Sequence, residues 1–202
     1  MNTVAKVVGA SVLVGVIGFA FIAIPAQREL SVERLKVDFA VSQVQNVLSR
    51  QAELIPNMAE VAKGYAKHEQ DTFAKVAAFR SKMAEVTDKK PEDLVKSEDG
   101  QRKLAEATAA SQQALLAFNS VREAYPQLQA NENYKTLMVE LEGSINRVTV
   151  ERRKWQQTIK DYNTKVVQFP KNIVANVIGY GALPFYQAPE SDQRAPKPVS
   201  YT

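Results

Sequence analysis

Residues 7 to 24 read VVGASVLVGVIGFAFIAI, and none of these eighteen residues is charged. At about 1.5 Å of rise per residue, a helix of that length covers roughly 27 Å, close to the ~30 Å hydrocarbon core of a bilayer. Val7, Val8, Leu13, Val14, Val16, Ile17, Phe19, Phe21, Ile22 and Ile24 supply its apolar bulk, Lys6 precedes it, and Pro25, Gln27 and Arg28 close it. A cleavable leader has an apolar run of only ~7–15 residues and prefers a small residue three places before the cut. If Ala26 ends the leader, that place is taken by Ile24. A retained single-pass anchor over residues 1–27 is therefore expected, with membrane lipid as its partner. Ser11 and Gly15 form a small-xxx-small pair of the kind that lets two helices approach closely, so a second copy of the chain is also an allowed partner. Arg28, Arg34 and Lys36 outnumber Lys6 near the ends of the run, which argues for a cytoplasmic C-terminal domain. A basic residue followed by an apolar run at the N-terminus resembles an export signal, and on that ground the domain is expected outside the cytoplasm.

Beyond Leu30 the apolar positions recur at helical spacing. Val37, Val41, Val44, Leu48, Ile55, Met58, Ala62 and Tyr65 follow steps of four and three, with Gln51 as a gap, and Val76, Phe79, Met83 and Val86 continue the phase. Such a stripe calls for a partner helix. The polar stretch TDKKPEDLVKSEDG, residues 87 to 100, reads as a loop with a short helical turn, and Asp99-Gly100 as a turn. A second stripe runs through Leu104, Ala107, Ser111, Ala114, Phe118, Val121 and Tyr125, stopping before Pro126. Asn131 is a suitable N-cap for a third, through Tyr134, Leu137, Leu141, Ile145, Val148, Arg152, Trp155, Ile159, Tyr162 and Val166. Ser31, Glu33 and Lys36 read as ordinary solvent-facing positions. In the short apolar segment NIVANVIGYGALPFY, Asn172 is a candidate cap and Gly179 a candidate stop; the segment is expected to pack on the end of the bundle, with contact to lipid as the alternative.

The fold class that follows is all-α: an N-terminal transmembrane helix, then an up-and-down bundle of three to four long antiparallel helices over residues 28–180. The count depends on whether Pro56 interrupts the first helix. Ile55, Met58 and Ala62 keep the phase of Val44 and Leu48, and no capping residue precedes Pro56, so the proline is expected to bend the helix without breaking it. Residues 181–202 form a proline-rich tail, polar and expected to be disordered from 187 onward.

Chemistry-bearing patterns are sparse. The chain has no cysteine, so thiolate chemistry and disulfides are excluded. His68 is the one histidine, and an H-E-x-x-H zinc site needs two. No glycine-rich phosphate loop and no G-x-S-x-G elbow occurs. No cofactor or metal is expected, and the chain does not read as an enzyme. From Ile145 to Thr202 nine Lys/Arg stand against four Asp/Glu. That surplus reads as a solvated helix face, or as a face for anionic headgroups. Trp155 is a single aromatic on a core stripe, and nucleic-acid binding is not expected.

The words around Pro56 are specific. LIPNMAEVAKGYAKHE, residues 54 to 69, resembles the LemA family, with its R-x-D/E-L-I-P-N-L motif and V-K-x-Y-A-x-H-E-like continuation. YPQLQANENYKTLMVELEGSINRVTVERRKW from Tyr125 and DYNTKVVQFPKNIVANVIGY from Asp161 match two further blocks in the same order. Arg50, Leu54, Ile55, Pro56, Asn57, Tyr65, Tyr162, Asn163 and Pro170 are the motif positions and the candidate interaction residues. Two departures stand out. Gln51 follows Arg50 where the family often has paired arginines, and Trp155-Gln156 replaces the first of two Tyr-Asn pairs. The resemblance implies a membrane-anchored bacterial helical bundle of the cell envelope. LemA-like proteins are not known as enzymes, and one relative is linked to forming magnetosome membranes, which implies a role in membrane organisation. The expected function is a non-catalytic membrane-tethered scaffold that binds protein partners or itself. The alternative is a ligand-binding or sensory module with a pocket between helices near Pro56 and Tyr162, lined by Asn57, Tyr65 and Tyr162. A solid core with an exposed apolar patch would favour the scaffold.

Overall fold

The structure, a computed structural model, describes residues 2–66 and 69–185. His68, the side chains of Val7, Ser11 and Val16, and the tail from 186 lie outside the described residues. Among those described there are seven helices and no strand: α1 (Asn2–Lys63), α2 (Gln70–Thr87), α3 (Pro91–Lys96), α4 (Glu98–Ala124), α5 (Pro126–Ala130), α6 (Glu132–Val167) and α7 (Lys171–Val177). The long helices α1, α2, α4 and α6 form the up-and-down bundle.

α1 contains both Pro25 and Pro56 and passes through each. The break expected as an option at Pro56 falls instead at Gly64, where the helix gives way to a turn. Tyr65, expected on the core stripe, lies in that turn and is 43% exposed. The local start and stop signals are plain elsewhere. Pro91 and Pro126 occupy first-turn positions of α3 and α5, where a missing N–H costs nothing. The Ser97 hydroxyl accepts from the Gly100 amide at 3.0 Å and caps α4, so Asp99-Gly100 belongs to a first helical turn and is not a loop turn. The Asn131 side chain accepts from the Tyr134 amide at 2.9 Å and caps α6 as expected. α7 follows Pro170, after a cis Phe169–Pro170 peptide bond, so Asn172 is inside the helix and does not cap it. Gly179 ends it with φ +74°, a left-handed conformation that favours glycine. The Tyr180 amide then reaches back to the Ala175 carbonyl at 2.8 Å.

Register follows from a few cross-links. α6 runs antiparallel along α1: Arg50 meets Glu140 at 2.9 Å, and Lys165 meets Glu33 at 2.7 Å. α2 returns beside α1, with Gln45 Nε2 donating to the carbonyls of Val86 and Lys89 at the far end. α4 lies against α2 through Lys82–Glu106 at 2.7 Å. The Tyr134 hydroxyl donates to the Phe118 carbonyl at 2.8 Å and ties α6 to α4.

The core lies between these four helices. Val37, Val41, Val44, Leu48, Ile55, Met58 and Ala62 of α1 are buried, as are Val76, Phe79, Met83 and Val86 of α2. Trp155, Tyr134, Tyr162, Phe79 and Phe118 are the largest side chains fully removed from solvent, each such burial contributing about 1.5–3 kcal/mol. On α6, Met138 and Ser144 are buried where the sequence pattern nominated Leu137 and Ile145, a shift of one residue within the same face. Gln51, the gap in the first stripe, is fully buried, and neither end of its amide meets a protein partner. It is a core position occupied by a polar group.

Gly100 marks the closest approach at any of the described glycines. A Cβ added there would lie 2.7 Å from the Leu94 Cα and carbonyl oxygen. Gly100→Ala is expected to lower stability by about 1–3 kcal/mol through forced separation of α3 from α4, read by chemical denaturation. Pro56 leaves the Ala52 carbonyl without its intrahelical donor. Pro56→Ala is expected to raise stability by about 1–3 kcal/mol, less whatever the freer unfolded chain takes back. A lowered denaturation midpoint would contradict it.

Candidate functional site

The sequence-nominated residues fall into two groups at opposite ends of the bundle. At the end reached by α1 after its apolar run, Tyr162 is fully buried, its hydroxyl donating to the Gly181 carbonyl at 3.1 Å. Asn163 donates to the Leu183 carbonyl at 2.8 Å and accepts from the Leu183 amide at 2.7 Å. Gln101 Nε2 donates to the Pro184 carbonyl at 2.6 Å. These three side chains fasten residues 181–185 to the bundle, and Leu183 is buried. The boundary drawn at 180 therefore cuts through a packed segment. The Tyr-Asn pair holds backbone, and Pro170 ends the turn that leads into α7.

At the far end, Leu54 and Ile55 are buried, Pro56 is half-buried and Asn57 is exposed. The Tyr65 hydroxyl accepts from Asn131 Nδ2 at 3.0 Å, joining the end of α1 to the start of α6. Arg34, whose guanidinium sits 5.7 Å from the Tyr162 ring centre, and Pro56 lie on one continuous helix, roughly 33 Å apart at 1.5 Å per residue. A single pocket lined by Asn57, Tyr65 and Tyr162 does not form, because the two motifs sit at opposite ends of the α1–α6 pair.

Between them runs a surface the sequence patterns did not single out. One groove of about 670 Å³ is lined by Val32, Leu35, Phe39 and Ala40 of α1, with Lys36, Glu151, Lys154 and Thr158 around them. It continues through Gln43 and Glu151 into a second, of about 740 Å³, between Asn46, Arg50, Glu140, Gly143, Ser144 and Arg147. Leu35 and Phe39 are 66% and 67% exposed. Large apolar side chains left in water together mark a contact surface. The signal lay in the sequence: Val32, Leu35 and Phe39 recur at helical spacing on the side of α1 away from the core stripe.

Beside this groove is an ion cluster. Lys165 lies 3.1 Å from Glu29 and 2.7 Å from Glu33, and Lys171 lies 2.7 Å from Glu29. Glu33, expected to face solvent, is buried and also meets Lys36 at 2.9 Å. Lys171 first, then Lys165, holds the Glu29 carboxyl below its ordinary value, and Lys165, then Lys36, does the same for Glu33. Glu33 and Glu29 in turn raise the Lys165 ammonium. Asp38, one turn of α1 past Arg34, is shifted upward because burial outweighs the nearby guanidinium. Burial likewise raises the Tyr162 hydroxyl. Glu29 and Glu33 of α1 each pair with a lysine on another helix, so the cluster clamps α1 to α6 and α7. Among the described residues no group of three or more His, Asp or Glu is arranged to hold a metal ion.

The exposed side chains Val8, Leu13, Val14, Ile17, Phe19, Phe21, Ile22 and Ile24 lie on the part of α1 that extends beyond the bundle. α1 is, among the described residues, the one helix long and apolar enough to cross a membrane. Fold and surface together define a helical bundle whose first helix is prolonged by an apolar segment. The chain belongs to the LemA family, whose sequence model matches residues 40–201. It is similar to Protein LemA of Metamycoplasma hominis, with 23% identity over 177 residues, covering 87% of this chain and 75% of that relative.

The carboxylates of Glu29 and Glu33, held down in the folded state, contribute stability that is complete above their ordinary value of 4.5 and is lost as pH falls through the lowered folded values. Glu33→Gln is expected to flatten this acid-side loss in a pH series of thermal melts, while leaving the neutral-pH helical circular dichroism unchanged. An unaltered acid profile would show that the cluster does not clamp the bundle.

Proposed function

We propose that the chain is a non-catalytic, membrane-tethered helical scaffold that presents the α1–α6 groove to a protein partner. The observation that carries this is the exposed Val32–Leu35–Phe39 stripe on the side of α1 opposite its buried face. The groove is open, with Val32, Leu35, Phe39 and Ala40 along α1, and its rim carries Lys36, paired with Glu33, and Lys154, paired with Glu151 at 2.9 Å. Those features suit the apolar face of a partner helix, from another protein or from a second copy of this chain. The continuity of α1 supports the tether: one helix carries the apolar segment and the first core stripe. The commitment of Glu29, Glu33, Lys165, Lys171, Lys82 and Glu106 to ion pairs between helices supports a structural role for the ionisable groups. The family supports the general setting, since the relative is named a LemA protein.

The test has two readouts. Alkaline carbonate should leave the full chain in the membrane pellet, and replacing Ile17 and Phe21 by arginine should release it. A photoreactive amino acid in place of Phe39 should give discrete protein adducts in native membranes, and the same residue in place of the exposed Val139 should not. Equal adducts at both places, or none at Phe39, would overturn the groove as the docking face.

A further inference from the structure

α7 is apolar on more than the side that packs. Val174 and Ala175 are buried against the bundle. Ile173 and Val177, one turn apart and so on one side of the helix, are exposed, Val177 at 74%. Val167, the last residue of α6, and Phe169 in the turn leading into α7 add to it, the latter 76% exposed. Four large apolar side chains are thus gathered at one end of the molecule within eleven residues, while polar residues dominate the rest of the outer surface of α6.

Their height along α1 says what covers them. Lys171 pairs with Glu29 at 2.7 Å, and the Tyr180 hydroxyl lies 3.5 Å from Ser31 Oγ. α7 therefore sits level with residues 29–31. Glu29 follows Ile24, the last residue of the apolar run, by five positions, about 7.5 Å along a helix. The headgroup layer on one side of a bilayer is about 5–8 Å deep. Ala26 and Leu30 are already buried, so the bundle begins within a turn of the run and no linker holds α7 away from the surface. Arg28 is exposed at the same level and suits anionic phosphate.

We infer that α7 and the Val167–Phe169 turn seat in the membrane interface, as a second lipid contact that orients the bundle on the bilayer. This rests on the membrane-tethered reading of α1. The occupant is a lipid surface because the patch adjoins the spanning segment and lies at headgroup depth. Side chains with this balance of apolar insertion and a cationic edge are those of interfacial helices.

The chain contains no cysteine, so single labels can be placed without a background. Phe169→Cys, Val177→Cys, Phe21→Cys and Val139→Cys, each carrying a nitroxide, are reconstituted as the full chain in phosphatidylcholine–phosphatidylglycerol vesicles, with circular dichroism confirming the fold. Accessibility to oxygen, which partitions into lipid, is compared with accessibility to a water-soluble nickel chelate. The ratio at 169 and 177 is expected to exceed that at 139 several-fold and to approach that at 21. If 21 is shielded from nickel while 169 and 177 behave like 139, the interfacial contact is refuted and the tether stands. If 21 itself is open to nickel, the tether reading fails. Dipolar broadening between copies at 177 without oxygen access would assign the patch to a second chain and refute the lipid contact.

Discussion

The bundle depends on α1 remaining one helix from Asn2 to Lys63. A helix turns by a constant angle per residue, so the side that enters the core is set by the phase carried through from the apolar run. Within two turns the surroundings of α1 change completely: Ile24 is exposed, whereas Ala26 and Leu30 are buried. The apolar extension and the first core helix are thus parts of one rod, and the partners of α1 inherit its direction. α6 lies antiparallel along it, α2 returns beside it, and α4 closes the far side.

What holds α6 to α1 divides by magnitude. Trp155, Ile159, Tyr162 and the facing α1 valines are removed from solvent, at about 1.5–3 kcal/mol for each large side chain. Arg50–Glu140, with both partners well exposed, belongs to the class of pairs contributing about 0–1 kcal/mol. Stability therefore comes from the core, and the ionic contacts select the register. Gln51 works against the core, since an amide buried without a partner costs about 1–3 kcal/mol. The fold tolerates it within the longest helix, between the buried Leu48 and Leu54.

Much of this architecture was legible from spacing alone. The stripes of α1, α2 and α4 read directly into buried faces, because an amphipathic helix repeats its partner-facing side every three or four residues. Asn131 was legible as a cap for the same local reason. Tyr65 was misplaced because the spacing continued past the point where Gly64 ends the helix. Glu33 was misplaced for the opposite reason: it stands four residues before Val37, in the phase of the stripe, and its charge concealed the position. Gln51 concealed itself likewise. Residues 181–185 were legible as part of an apolar stretch that packs on the bundle, and Leu183 is buried; their fastening was not, because Tyr162, Asn163 and Gln101 bond to backbone groups, which are the same in every sequence. The separation of the two motif clusters followed from the continuity of α1 through Pro56 once α6 was seen to run antiparallel to it. The apolar groove was within reach, since Val32, Leu35 and Phe39 mark a second side of α1.

The pairing of α1 with α6 also sets an order of events during synthesis. Contacts such as Arg50 with Glu140 and Glu33 with Lys165 join residues 90 and 132 positions apart. At about 5–20 residues per second, the valine stripe of α1 emerges many seconds before its mate exists. During that interval α2 and α4 are the long helices already made that pack in this bundle, and the flank of α1 that α6 covers has no mate. The residues that close this flank, and Leu183 that Asn163 fastens, are the last of the bundle to be synthesised.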